Sequence, residues 1–323
     1  MKFIKIFLFF IFVSCFNSQL IDIGINSTRI DQDFSSIDAD NYEDKINQIE
    51  YDIPGFIDYY LTNHIGMSRM TDTQKKDNIL LFTSSLDVIK IQEQLDLKFT
   101  DTDYLSLEIE NFFQRYLYFF PEKSHAKKIV FINSFGSYGI DLFNNNLIIG
   151  LDFYLGNTNP MFNTFYDYLK VRCDDRFLVS DAMEFYLSNQ FLKDYQYSNF
   201  QEELIFKGKI MYLLSEFLID TDISCILRYS IDQFDWCIDH ERNIWNEVIK
   251  MNIMYSSKNS EYRSFFNDAP FTKGMPTESP SRIGYFVGYQ IIKKYMNYSN
   301  VTLSELMNNT NTQEILLKSK YNP

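Results

Sequence analysis

A chain of 323 residues, at roughly 150 per domain, holds two small domains or one large one. Its formal charge of −13, from 30 Lys plus Arg against 43 Asp plus Glu, argues against nucleic acid as a partner, because nucleic-acid binders carry basic stripes that neutralise phosphates. Hydrophobic residues make up 46 % and aromatic residues 17 %, enough for a sizeable core, while only 11 Gly and 7 Pro speak against disorder, collagen and turn-rich solenoids.

At the N-terminus, Lys2 and Lys5 accompany an apolar run from Ile6 to Val13. The run is too short to cross a bilayer, which takes about 20 residues, and has the size of a signal-peptide apolar region. No A-x-A cleavage site follows. Phe12-Val13-Ser14-Cys15 is instead similar to a bacterial lipobox, in which a small residue precedes a cysteine that takes lipid on its thiol; Phe12 stands where such boxes usually have Leu. The reading is a signal peptide over 1–14 and a lipid on Cys15, each buried acyl CH₂ contributing about 0.8 kcal/mol of membrane affinity. The next thirty residues are polar and acidic. Asp31, Asp33, Asp38, Asp40, Glu43 and Asp44 face only Arg29 and Lys45, so 15–45 reads as a tether that buries too little to offset its ordering entropy. A single globular domain is expected over 46–323.

Within that domain, Leu105, Ile109, Phe112, Phe113, Tyr116, Leu117 and Phe120 follow helical spacing from Tyr104 until Pro121 stops it. Ile129 to Ile132 and Leu147 to Leu151 read as strands, with Asn144-Asn145-Asn146 as a turn before the second. From Phe177 onward the pattern is mainly helical. Ser230 with Gln233 forms a capping box opening a helix to about Met254, and Thr302 with Glu305 opens another. Between them Arg282 to Met296 carries Gly284 and Gly288, which allow another backbone to approach closely. Strands first and helices afterwards predict an α+β fold.

The chemistry search excludes more than it finds. There is no GxSxG, GxxxxGK[ST] or GxGxxG. A zincin needs two histidines four apart on one helix face with a glutamate beside the first. His240-Glu241 begins that pattern, but Ile244 occupies the second histidine position, so both read as an exposed helical face. His64 and His125 lie in loop-like contexts without a carboxylate at ligand spacing and read as surface residues. Asp174-Asp175 and Glu202-Glu203 are carboxylate pairs of a kind any acidic chain contains. Cys173, Cys225 and Cys237 lack CxxC spacing, which leaves three core thiols or a Cys225–Cys237 bridge. The helix expected over Leu178 to Leu192 follows two strands, the order in which zincins present their metal helix. Glu184 stands at its general-base position, while Met183 and Leu187 stand where histidines would be; a thioether and an alkyl group do not make a zinc site. The simpler reading is an amphipathic helix with Met183 and Leu187 facing the core. No metal and no cofactor is expected, and the chain reads as a non-enzyme.

Six blocks in order carry a resemblance over Gly150 to Pro323. They are Gly150-Leu-Asp-Phe-Tyr-Leu-Gly156, Gly208-Lys-Ile-Met-Tyr-Leu-Leu214, Ile244-Trp245 with Met254-Tyr-Ser-Ser257, Asn267-Asp-Ala-Pro-Phe271, Ser281-Arg-Ile-Gly-Tyr-Phe-Val-Gly-Tyr-Gln-Ile-Ile292 and Lys318-Ser-Lys-Tyr-Asn-Pro323. Together they resemble the gliding-motility lipoprotein GldB family of the Bacteroidetes. The resemblance implies an envelope-anchored accessory of gliding and of the linked adhesin and protein-secretion apparatus. It further implies a zincin-like fold related to predicted metallopeptidases, lipid on Cys15, and partners among other envelope proteins. The competing readings are a zinc peptidase with ligands of another pattern and a structural lipoprotein without a motility role.

Overall fold

The computed structural model describes residues 23–67, 70–137, 139–192 and 197–323. The apolar leader, the lipobox and Cys15 lie outside the described residues.

The first described element is a strand, β1 (Asn26–Arg29), followed by helices α1 (Ile30–Ser35), α2 (Tyr42–Asp52), α3 (Phe56–Tyr60), α4 (Asp72–Thr83), α5 (Leu86–Lys98) and α6 (Asp103–Phe119). Strands β2 (Lys128–Ile132), β3 (Ile140–Phe143) and β4 (Asn146–Gly150) complete a four-stranded sheet of order β1-β2-β4-β3. The second half is helical: α7 (Asp167–Lys170), α8 (Leu178–Leu192), α9 (Phe200–Phe217), α10 (Ile223–Ile226), α11 (Ile231–Asp239), α12 (Glu241–Lys250), α13 (Asn259–Tyr262), α14 (Ile283–Tyr298), α15 (Leu303–Asn308) and α16 (Thr312–Ser319). The α+β expectation holds.

β1, β2 and β4 run parallel, and β3 pairs antiparallel with β4 at the edge. The β3–β4 hairpin closes through Asn144 and Asn145, both at positive φ (50° and 65°), as a two-residue turn with a primed twist requires. Successive side chains of a strand point to opposite faces, and here each face has its own core. Val130, Ile132 and Ile148 pack with Ile30, Phe34, Ile49, Phe56 and Tyr60 of the first helices. Ile129, Phe131, Leu147 and Ile149 pack with Phe112, Phe113, Met183, Tyr186, Leu204 and Phe286 of the later ones. The sheet is therefore the middle of three layers. Full cover on both faces explains why β2 and β4 read as unbroken apolar runs.

Two expectations need correction. The acidic stretch assigned to a tether is, from Asn26 to Lys45, part of the fold: β1 pairs with β2 in register Asn26↔Lys128 to Arg29↔Phe131, and Ile30, Phe34 and Ile37 are buried. Asp31 is not solvated charge but 1 % exposed, accepting from Arg29 Nε at 2.8 Å, Arg29 Nη2 at 2.6 Å and Gln92 Nε2 at 2.9 Å. The helix opened by the Ser230–Gln233 capping box, which is present, breaks at His240 and resumes as α12. His240 has φ −108° and ψ 10°, outside helical values, and joins the two segments.

Gly208 of α9 and Gly288 of α14 meet at a close crossing. A Cβ on Gly208 would lie 2.3 Å from Gly288 C and O, and one on Gly288 would lie 2.3 Å from Leu204 O. On the neighbouring turn, a Cβ on Gly284 would lie 2.5 Å from Phe266 Cε1. The close approach expected of Gly284 and Gly288 is thus realised against two different partners.

Candidate functional site

The residues that α8 turns toward its neighbours fall into two sets. Met183 and Leu187, four apart, are fully buried in the core with Tyr186. Asp181, Glu184, Phe185 and Ser188 lie on another face and line a cleft of about 460 Å³ together with Gly139 and Ile140 at the start of β3. The spacing 181, 184, 188 is that of one helix stripe. Of the three positions singled out by zincin spacing, the structure thus brings only Glu184 to a cleft; Met183 and Leu187 point into packed side chains.

Opposite this face stand cations from four distant segments. Arg172 comes from the 3₁₀ turn Val171–Cys173, Lys207 from α9, Arg228 from the turn after α10, and Arg282 from the residue before α14. Arg228 Nε pairs with Asp181 Oδ1, and Arg228 Nη2 lies 3.2 Å from Glu184 Oε2. Arg282 Nη2 lies 3.4 Å from the same Glu184 oxygen, with its guanidinium 4.0 Å from the Tyr285 ring centroid. Arg172 pairs with Asp268 at 2.9 Å and donates to the Arg228 carbonyl. Tyr154 Oη donates to Asp181 Oδ2 at 3.2 Å.

Both Arg228 (φ 60°) and Arg282 (φ 59°) hold left-handed backbone, which costs a residue with a Cβ about 1–2 kcal/mol. The ion pairs to Asp181 and Glu184 hold these strained turns in place. The electrostatics follow from the geometry. Burial alone would raise the Glu184 carboxyl, but Arg228, Arg282 and Lys207 outweigh it and hold the pKa at about 2. Burial also disfavours the charge on Arg228, yet Asp181 and Glu184 more than compensate and push its pKa up. Arg172 goes the other way: burial first, then repulsion from Arg282 and Arg228, lowers it to about 10 despite Asp268.

Within the cleft lining Arg172, Lys207 and Arg228 stand against Asp181, Glu184 and Asp268, three charges of each sign, while Arg282 reaches Glu184 from outside the lining and Glu203 adds a carboxylate near Lys207. Glu184 is thus held ionised between two guanidiniums.

The histidines lie elsewhere. His64 is not at the surface: it is 6 % exposed, with Nδ1 3.0 Å from Ser137 Oγ and Nε2 3.1 Å from Tyr59 Oη, and burial lowers its pKa to about 4. His125, half-buried, has Nδ1 2.6 Å from the Ala126 carbonyl oxygen. His240 and Glu241 are half-buried rather than on an open face, the imidazole stacking on Trp236 at 4.3 Å, because the helix breaks there. Among the described residues no group of three or more His, Cys, Asp or Glu is placed to hold a metal ion. Cys173, Cys225 and Cys237 are free thiols. Of the carboxylate pairs, Asp174 caps the turn Asp175–Phe177 and Glu202 accepts from Ser198. Neither enters the cleft.

Two of the six blocks that carried the sequence resemblance contribute to the cleft lining, the first through Phe153 and Tyr154 and the fourth through Asp268, and the family comparison extends the resemblance beyond those blocks. The model of the gliding motility protein GldB family matches residues 17–323. The chain belongs to the GldB family. Comparison with curated proteins and with solved structures returns no match. Membership gives this GldB-family chain a role in gliding motility as a lipoprotein. Among the described residues no helix is long and apolar enough to cross a membrane. Spacing had pointed to Glu184 but not to Arg172, Arg228 and Arg282, which are more than fifty residues apart. The signal available for two of them is a lone charge at the edge of an apolar segment, Arg228 after Ile226-Leu227 and Arg282 before Ile283-Gly284-Tyr285-Phe286.

Proposed function

We propose that this GldB-family chain serves gliding without catalysis, as a protein held to the membrane by lipid on Cys15 that acts by binding other proteins of the envelope. Family membership supports the motility role. The observation that supports a binding rather than a hydrolytic role is Glu184, whose carboxylate is 8 % exposed, lies against Arg228 and Arg282, and is held at a pKa of about 2. A glutamate so engaged lacks the basicity that favours activation of water near neutral pH. A zincin-like origin of the scaffold belongs to the same proposal. Two central strands precede α8, and Glu184 sits on that helix facing a cleft. The helix, however, turns Met183 and Leu187 into the core.

The test is Glu184→Asp, which keeps the negative charge for both arginines but retracts it by one methylene. A general base displaced by that much loses orders of magnitude in rate. The expected outcome is gliding close to that of the parent strain, with unchanged amounts of the protein in the envelope. Loss of gliding by a variant that folds and accumulates normally, or zinc-dependent peptide hydrolysis by the purified parent protein, overturns the non-catalytic reading.

A further inference from the structure

Ile23, the first described residue, packs against the core and leads into β1, so the fold fixes where the chain enters it. Asn26 of β1 pairs in register with Lys128 of β2, and β2 runs parallel to β4, which begins at Asn146. The entry point therefore lies at the end of the sheet where these three strands start. That end is open surface: Asp52, Pro54, Lys127, Lys128, Asn144 and Asn145 line a recess of about 680 Å³ there. Asn145 Nδ2 donates to the His125 carbonyl at 3.0 Å and Asn144 Nδ2 to that of Pro54 at 3.3 Å, tying the hairpin turn to both neighbours. Lys128 pairs with Asp52, and the Glu50 carboxylate accepts from the amides of Gly55 and Ile57 at 2.7 and 2.8 Å. Lys127 is exposed, and Tyr51, next to Asp52, is 92 % exposed. The cleft beside α8 lies at the opposite end of the sheet, where Ile140 pairs with Ile149 and where Phe153 and Tyr154 follow β4.

We propose that the end of the sheet marked by Tyr51, Lys127 and Lys128 is the side that lies on the bilayer, so that the α8 cleft opens away from the membrane. The proposal rests on the lipid on Cys15 and adds an orientation to it. Reach is the first argument. Ile23 follows Cys15 by eight residues, which span at most about 29 Å whatever their conformation. A fold of this size has a radius of gyration of about 19 Å and is about 50 Å across. The reach is little more than half that width, which keeps the entry point, and the end of the sheet around it, on the membrane side. Surface chemistry is the second argument. A molecule of net charge −13 is repelled by an anionic bilayer, so its contact surface belongs where basic side chains are exposed. An exposed tyrosine beside them suits the headgroup level, where its ring meets apolar groups and its hydroxyl meets water.

The experiment is lysine footprinting, read by mass spectrometry, with a water-soluble acylating reagent. The full lipidated protein is bound to the outside of preformed vesicles of phosphatidylethanolamine and phosphatidylglycerol, and the Cys15→Ser protein in the same buffer is the reference. Lys127 and Lys128 should be labelled several-fold more slowly on vesicles than in the reference. Lys98, which pairs with Asp175 near Gly156, and Lys207 in the cleft wall should be labelled equally fast in both. Protection of Lys98 or Lys207 in place of Lys127 and Lys128, equal protection of all four, or protection of none overturns the orientation. Intact mass reports the acyl chains. A protein that carries no lipid and stays in solution overturns the anchor and this orientation with it, and is told apart from an anchored protein that faces the other way.

Discussion

Replacing Gly288 by Ala is the sharpest test of how the helical half is assembled, because local and tertiary physics predict opposite signs. Taken alone, Gly to Ala inside a helix adds about 1 kcal/mol of stability. In this fold the added Cβ would sit 2.3 Å from Leu204 O and 3.0 Å from Gly208 Cα, where ordinary contact begins near 3.4 Å, so the two backbones must part by about 1.1 Å. No rotamer change can relieve a clash with a carbonyl oxygen. Nor can α14 slide freely, since on the next turn Gly284 is held against Phe266 and Phe265 O. Overpacking costs about 1–3 kcal/mol, and a backbone clash belongs at or above the upper end. The expected net loss is about 2 kcal/mol or more after the propensity gain. Urea unfolding followed by circular dichroism should show a lower midpoint with an unchanged slope. Gly208→Ala should behave alike, and the double variant should cost less than the two added together, because both relieve or strain one contact. A neutral or stabilising Gly288→Ala would show that the helices do not touch there, and the reasoning would fail.

Two further outcomes are expected. His64 has its pKa lowered by burial to about 4 from a reference of 6.5, so the unfolded chain takes up a proton that the native state refuses. Its contribution, at most about 3 kcal/mol, is present above pH 6.5 and is lost as pH falls toward 4; His64→Gln should flatten the pH dependence of unfolding over that window, and identical slopes would refute it. Cys15→Ser should move the protein from the membrane fraction to the soluble envelope fraction, and unchanged partition would remove the lipid anchor from the proposal.

What the sequence makes legible follows from how each element is buried. β2 and β4 announce themselves because helices cover both faces, so every position after Lys128 and Asn146, their first residues, is apolar. The α9–α14 crossing is half legible, in that Gly284 and Gly288 signal a close approach without naming Gly208 or Phe266 as the partners. β1 is hidden because it is a short, half-exposed edge strand, Asn26-Ser-Thr-Arg29, held by backbone pairing that composition does not record. Asp31 misleads for a related reason: a carboxylate reads as solvated until Arg29 and Gln92, one two residues away and one sixty-one, are seen to close over it. The cleft shows the same limit. Glu184 lies in a helix whose period is readable, but its chemistry belongs to Arg228 and Arg282, which only the tertiary fold brings within ion-pair distance.

The ion cluster is costly as a stability device, since each charge loses its hydration on burial and apolar groups of the same shape would hold the helices together at least as well. Two left-handed arginines add strain. Such expense is characteristic of sites rather than scaffolds. The setting sharpens the point: in a molecule of net charge −13, three of its 30 Lys and Arg residues are gathered in one cleft against three carboxylates.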